Sequence, residues 1–135
     1  MSRKINVFIS HSWQHTDDLK NLKSLLENRG YFNVEFKQVE PENPINSERA
    51  EYIKSVLKKN IEESNVVLGI AGVYASYSEW MDWELSTAVK LGIKVVGVIP
   101  RGQERVSQTV TKYSSENVRW NTESIVDAIR RNSNI

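Results

Sequence analysis

Hydrophobic positions along the chain fall into two rhythms. Compact apolar runs rich in β-branched residues occur at Lys4–Ile9, Asn65–Ala71 and Ile93–Ile99, and each predicts a strand. The last two are nearly continuous, the pattern of central parallel strands covered on both faces, and Pro100 closes the second. Weaker stretches at Asn33–Phe36 and Asn117–Trp120 predict two short strands, the first at a sheet edge. Between them the apolar spacing turns helical. Leu19, Leu22, Leu25 and Leu26 follow a Thr16 or Asp17 cap and stop at Gly30. Ile53, Val56, Leu57 and Ile61 mark a second helix, capped by Ser47. A third helix runs from about Ser78 to Leu91 and ends at Gly92. Val106, Val110 and Tyr113 predict a short fourth helix. Ile125 and Ile129 predict a fifth, capped by Thr122.

Strand and helix alternate throughout, with no internal repeat or linker, so the expectation is a single α/β domain around a parallel sheet. Right-handed crossovers leave a doubly wound five-stranded sheet in the order 2-1-3-4-5 as the commonest solution. Such sheets bind ligands beyond the carboxyl ends of their strands, at the switch point beside strand one. That edge collects Ser10–His15, the proline-containing segment "KQVEPENPIN" at residues 37–46, and the Gly72–Tyr77 loop. The length of residues 37–46 fits a lid or binding loop.

Composition narrows the chemistry. The 135-residue chain has no cysteine, which excludes disulfides, thiolate metal sites and cysteine nucleophiles. The formal net charge of +1, with acids and bases interspersed, lacks the basic footprint of a nucleic-acid binder. No apolar run approaches the ~20 residues of a membrane span, and no signal-peptide core follows the start. A soluble cytoplasmic protein is expected. No closely spaced glycines follow strand one to cradle a phosphate, no paired carboxylates stand at strand ends, and there is no Gly-x-Ser-x-Gly elbow. His11 and His15 are four apart but lack a third ligand, so no metal is expected.

The densest chemistry is Tyr77–Ser86, "YSEWMDWELS", with two of the four tryptophans and three acids. On a helix Trp80, Glu84, Thr87 and Leu91 share one line, and Met81, Leu85 and Ala88 share the apolar line beside it. Trp80 reads as core, and Trp83 as more open. Glu84 falls at the border of the buried face, and the pattern leaves two roles for it. It is either a solvated or capping acid near a helix start, or a partly desolvated carboxylate that meets a ligand in the cleft.

Val7-Phe-Ile-Ser-His-Ser12 resembles the first box of TIR domains, and Ser78-x-Trp80-x-x-x-Glu84-Leu85 resembles their Ser-x-Trp-x-x-x-Glu-Leu helix motif. Gly72-Val-Tyr-Ala-Ser-Tyr-Ser78 is similar to the bacterial and archaeal TIR-like branch that includes the TIR proteins of Thoeris antiphage systems. The resemblance spans Lys4 to about Ile129. It implies the flavodoxin-like, TIR-like form of the five-stranded fold. It also implies catalysis by Glu84, with NAD+ as substrate rather than cofactor. The product would be a cyclic, ADP-ribose-derived signalling nucleotide that activates a separate effector.

The residues suit that reaction. Breaking the nicotinamide–ribose bond builds oxocarbenium character on the ribose, and nicotinamide leaves as a neutral molecule, so one carboxylate suffices. Trp83, Tyr77 or Trp13 would stack on nicotinamide or adenine. Ser10, His11, Ser12 and the start of the first helix would meet ribose or phosphate. Two other readings stand beside this one: a non-catalytic TIR-like interaction module, and a nucleoside deoxyribosyltransferase-like enzyme whose glutamate is a covalent nucleophile. Residues 37–46 depart from the glycine-centred turn of adaptor TIR domains, so the resemblance does not carry assembly through that loop. A homo-oligomer remains compatible with the sequence.

Overall fold

The computed structural model describes residues 5–10, 17–30, 32–35, 50–72, 79–102 and 107–134. In chain order these form β1 (Ile5–Ser10), α1 (Asp17–Arg29), β2 (Phe32–Glu35), α2 (Ala50–Glu62) and β3 (Val66–Ile70). There follow α3 (Glu79–Lys90), β4 (Val95–Ile99), α4 (Gln108–Tyr113), β5 (Ser114–Arg119) and α5 (Thr122–Asn132). All strand pairs are parallel, and the sheet order is β2-β1-β3-β4-β5, as the alternation of elements predicts.

Every residue of β3 and β4 is buried, so their period-2 alternation feeds two cores rather than one core and water. Val66, Leu68 and Ile70 join Val7, Ile9, Val96 and Val98 against Leu19, Leu22 and Leu26 of α1 and Ile125, Val126 and Ile129 of α5. Phe8, Val67 and Val95 face the other way, onto Leu57 and Ile61 of α2, Trp80, Met81, Leu85 and Ala88 of α3, and Val110 of α4. Gly30 and Gly92 end α1 and α3 at φ +87° and +77°, where a side chain would be strained.

Two boundaries differ from expectation. β5 begins at Ser114, three residues before the predicted Asn117. Its polar Ser-Ser-Glu start has little strand propensity of its own. Pairing with β4 imposes the strand, through a register irregularity between Val95 and Val96 that leaves Ser115 as the extra residue. Ser115 Oγ donates to Val95 O at 3.2 Å and to Asn132 Oδ1 at 2.6 Å. The cap of α5 is Asn121 rather than Thr122. Asn121 Oδ1 accepts from Ser124 N at 3.0 Å, and Thr122 is the first helical residue. The predicted caps Thr16 and Ser47, the predicted helix residue Val106, and residues 37–46 lie outside the described residues.

One row across the sheet is short of side chains. Ser10, Gly69, Gly97 and Asn117 are successive register partners on β1, β3, β4 and β5. The two glycines lie on the face covered by α3 and α4. A Cβ on Gly69 would sit 3.3 Å from Val110 Cγ1 and 3.5 Å from Leu85 Cδ2. One on Gly97 would sit 3.0 Å from Val110 Cγ1 and would collide with Asn117 Oδ1. The bare backbone thus lets both helices settle against the sheet.

The amino end of the sheet is closed by amides. Asn6 N donates to Asn65 Oδ1 at 2.8 Å, and Asn65 Nδ2 donates to Asn134 Oδ1 at 2.7 Å. Asn134 N donates to Asn65 O at 3.2 Å, so this bond ties the end of the chain beneath β3.

Gly97→Ala is expected to destabilise the fold by roughly 1–3 kcal/mol, and Gly69→Ala by less, because its new methyl would be less crowded. Urea unfolding measures both. A double cycle of Gly97→Ala with Val110→Ala should show favourable coupling of at least about 0.5 kcal/mol. A wild-type midpoint for Gly97→Ala would show that α4 does not rest on this row.

Candidate active site

The carboxyl end of β1 and the middle of α3 meet on the side of the sheet that holds the glycine row. In β1, Val7 and Ile9 face α1 and α5, while Phe8 faces α3. Ser10, two residues beyond Phe8, continues on Phe8's side. Its hydroxyl is fully buried and donates to Glu84 Oε1 at 2.9 Å. Glu84 is the sixth residue of α3, too far along to cap the helix, so the capping alternative fails on geometry.

Glu84 is deeper than its expected place at the border of the buried face. It is 7 % exposed, and Trp80, Met81, Leu85, Thr87 and Ala88 around it are buried as well. The reason is tertiary. α3 packs on β1, β3 and β4 and lies between α2 and α4, so a wider arc is covered than one helix face would bury against a single neighbour. Loss of water pushes the Glu84 carboxyl up to about 8, and the Ser10 hydrogen bond acts in the opposite direction by favouring the charged form. Among the described residues no cation forms an ion pair with it. Glu84 is therefore mostly protonated at neutral pH. A positively charged ligand beside it would draw the proton off.

The tryptophans divide as the helix pattern predicts. Trp80 is buried in the core with Leu85 and Val110. Trp83 is half-buried at the seam with α2 and meets Trp80 edge-on, with ring centroids 6.1 Å apart at 80°. The Lys54 ammonium of α2 lies 6.0 Å from the centre of the Trp83 ring. On the opposite flank Tyr113 Oη donates to Asp82 Oδ1 at 2.9 Å, joining α4 to α3.

Of the residues expected at the site, the structure brings Ser10 and Glu84 together and places Trp83 one residue away on the same helix. His11, Ser12, Trp13 and Tyr77 lie outside the described residues. The expectation for Ser10 was a direct ligand contact, whereas its hydroxyl is buried against Glu84. The signal for that pairing was present in the alternation of β1, which puts Ser10 on the side of Phe8. It becomes readable only once that side is known to face α3. Among the described residues no group of three or more His, Asp or Glu side chains is arranged to hold a metal ion. No helix among them is long and apolar enough to cross a membrane.

Comparison with solved structures places this fold in known company. A 2-deoxyribosyltransferase from Bacillus psychrosaccharolyticus superposes with a TM-score of 0.65 at 18 % identity, over 89 % of each chain. The CMP N-glycosidase BcmB of Clostridium botulinum gives 0.57 at 14 % identity, over 93 % of this chain and 98 % of that one. The TIR domains of the activated Roq1 resistosome give 0.51 at 20 % identity, over 95 % of this chain and 72 % of theirs. These likenesses establish a shared fold. A search of curated proteins returned no match. The family model for the TIR-like domain of the Thoeris protein ThsB matches residues 8–105, a span that runs from within β1 through β4 and includes both Ser10 and Glu84. The chain belongs to the TIR-like domain family of the Thoeris protein ThsB.

Proposed function

We propose that this TIR-like protein cleaves NAD+ at the nicotinamide–ribose bond and converts it to a cyclic, ADP-ribose-derived nucleotide. In antiphage defence that product would activate a separate effector in the cytoplasm. The observation that carries the reading is the buried Glu84 carboxyl beside the carboxyl end of β1, within the matched region and hydrogen-bonded to Ser10.

The chemistry follows from charge. NAD+ brings a cationic nicotinamide, and bond breaking moves positive charge onto the ribose. An ionised Glu84 in a water-poor site stabilises both charges, and more strongly the one that develops in the transition state. Trp83, with Tyr77 and Trp13, would supply stacking surface for nicotinamide or adenine. His11 and Ser12 would meet ribose or phosphate, with Ser10 beside them. Holding an internal nucleophile close while excluding water favours ring closure over hydrolysis.

The fold likeness to a deoxyribosyltransferase and an N-glycosidase keeps a second reading in view, attack of Glu84 on a nucleoside. It predicts base exchange on nucleosides, whereas the proposed reaction releases nicotinamide from NAD+.

Glu84→Gln preserves size and an acceptor for Ser10 but removes the charge. Nicotinamide release from NAD+, followed by chromatography, should fall by about 10²-fold or more. Equal release by wild type and variant would remove Glu84 from the chemistry, and release by neither would remove NAD+ as substrate.

The protonation of Glu84 fixes a pH profile. Because kcat/KM reports the free enzyme, it should climb through neutrality and level off above about 8, as the carboxylate forms. A profile flat from pH 6 to 9 would show that ionisation of Glu84 is not required.

Stability should run the other way. The folded state holds the Glu84 proton more tightly than the unfolded chain, whose glutamates titrate at about 4.3. The stabilisation this gives is complete below the unfolded pKa and is lost as pH rises towards about 8. Glu84→Gln escapes that loss. Its stability relative to wild type should therefore grow between pH 5 and pH 8, by an amount on the order of a few kcal/mol. Urea midpoints of both proteins at the two pH values measure it. A constant difference would mean that burial has not raised this carboxyl.

A further inference from the structure

The geometry points to Ser10 as a positioning residue, acting on the reaction through Glu84 rather than through the substrate. This rests on the NAD+ reading above but changes what the end of β1 does. A ligand contact needs a hydroxyl that a ligand can reach. The Ser10 side chain is fully buried, and its donor is already directed at Glu84 Oε1, 2.9 Å away.

The surroundings make that hydrogen bond hard to rearrange. Ser10 is fixed by its pairing with β3, where it stands in register with Gly69. With no side chain at Gly69, Leu85 of α3 comes down onto the sheet at that point. A Cβ there would be 3.5 Å from Leu85 Cδ2. Leu85 is the residue after Glu84, so the approach that seats Leu85 over Gly69 also sets the neighbouring carboxyl against Ser10. The missing side chain and the hydroxyl act as a pair, one admitting the helix and the other orienting its acid.

No other described group takes over this task. The strands packed against α3, namely β1, β3 and β4, carry no titratable side chain. On α2 the charged residues are Glu51, Lys54, Lys58, Lys59 and Glu62, of which Lys54 lies over Trp83. On α4, Lys112 lies over the Tyr113 ring, and Tyr113 itself donates to Asp82. The Glu84 carboxyl responds to burial and to Ser10, and burial alone would drive it further towards the neutral acid. Ser10 therefore does two things for a reaction that needs the anion. It selects the rotamer that presents the carboxyl, and it keeps ionisation within reach of neutral pH.

Ser10→Ala tests this with readouts that loss of packing alone would not move. In NAD+-free protein, the Glu84 side-chain carboxyl is titrated by carbon-13 NMR. The variant's midpoint should lie above wild type by about one pH unit or more, the scale of losing a hydrogen bond to a charged group. In turnover, kcat for NAD+ should fall by roughly 10–100-fold while KM moves much less, because the lost contact is not with the substrate. The acid limb of the pH profile should shift upward with the titration, and Ser10→Thr should recover both. If Ser10→Ala does not fold, Ser10→Cys, with its weaker donor, should show a smaller shift in the same direction. An unchanged Glu84 midpoint overturns the proposal, as does a raised KM with kcat intact, which would make Ser10 a substrate contact. A shifted midpoint in a protein that releases no nicotinamide would support the Ser10–Glu84 coupling and overturn the NAD+ reading instead.

Discussion

The central strands must be covered on both faces, and most of the architecture follows from that constraint. β3 and β4 have no solvent-facing residue, so their backbone and side chains leave water only if helices close over each side. α1 and α5 supply one cover, and α2, α3 and α4 supply the other. Parallel pairing requires crossovers between successive strands, and the crossovers are the covers. A switch point then opens beside β1, where the order turns from β1-β2 to β1-β3.

Close packing on the second face is what gives Glu84 its character. The row Ser10–Gly69–Gly97–Asn117 leaves two of its positions without side chains, and Val110 and Leu85 occupy the space above them. A helix drawn that near to the sheet carries all of its inward residues out of water, including one acid. Burial of a carboxyl is costly, and among the described residues no cation offsets it; burial favours the protonated form, and the Ser10 hydroxyl donates to it. An acid in that state becomes an anion most readily when a cation arrives beside it.

The opposite end of the molecule shows how a polar group is treated when it serves stability. Asn6, Asn65 and Asn134 satisfy one another beneath the sheet. At β5 and α5, Asn132 donates to Glu116 and to Ala128 O and accepts from Ser115, while Arg131 pairs with Glu116. Glu116 and Asn132 each have more than one partner, and the Glu116 carboxyl is held below its ordinary range by Arg131 and then by Asn132. Among the described residues Glu84 has one hydroxyl partner, Ser10, and its pKa is raised. The contrast separates polar groups that tie elements together from an acid whose burial favours its neutral form.

The sequence by itself determined the architecture. Continuous apolar runs at Asn65–Ala71 and Ile93–Ile99 mean two-sided burial, leucine spacing after Asp17 means a helix, and Gly30 and Gly92 end helices because they accept positive φ. These signals lie within a few residues of one another, so local chemistry is enough to read them. The family motifs around Ser10 and Glu84 were equally local. The tertiary structure alone decided what depends on residues distant in the chain. It set the strand start at Ser114, where pairing with β4 and a bulge at Ser115 override weak propensity. It also set the depth of Glu84, which follows from how α3 packs against β1, β3, β4, α2 and α4 rather than from the pattern of its own helix. The pairing of Ser10 with Glu84 spans 74 residues. Periodicity tells which side of a strand a residue faces, but only the packed sheet determines which helix waits there.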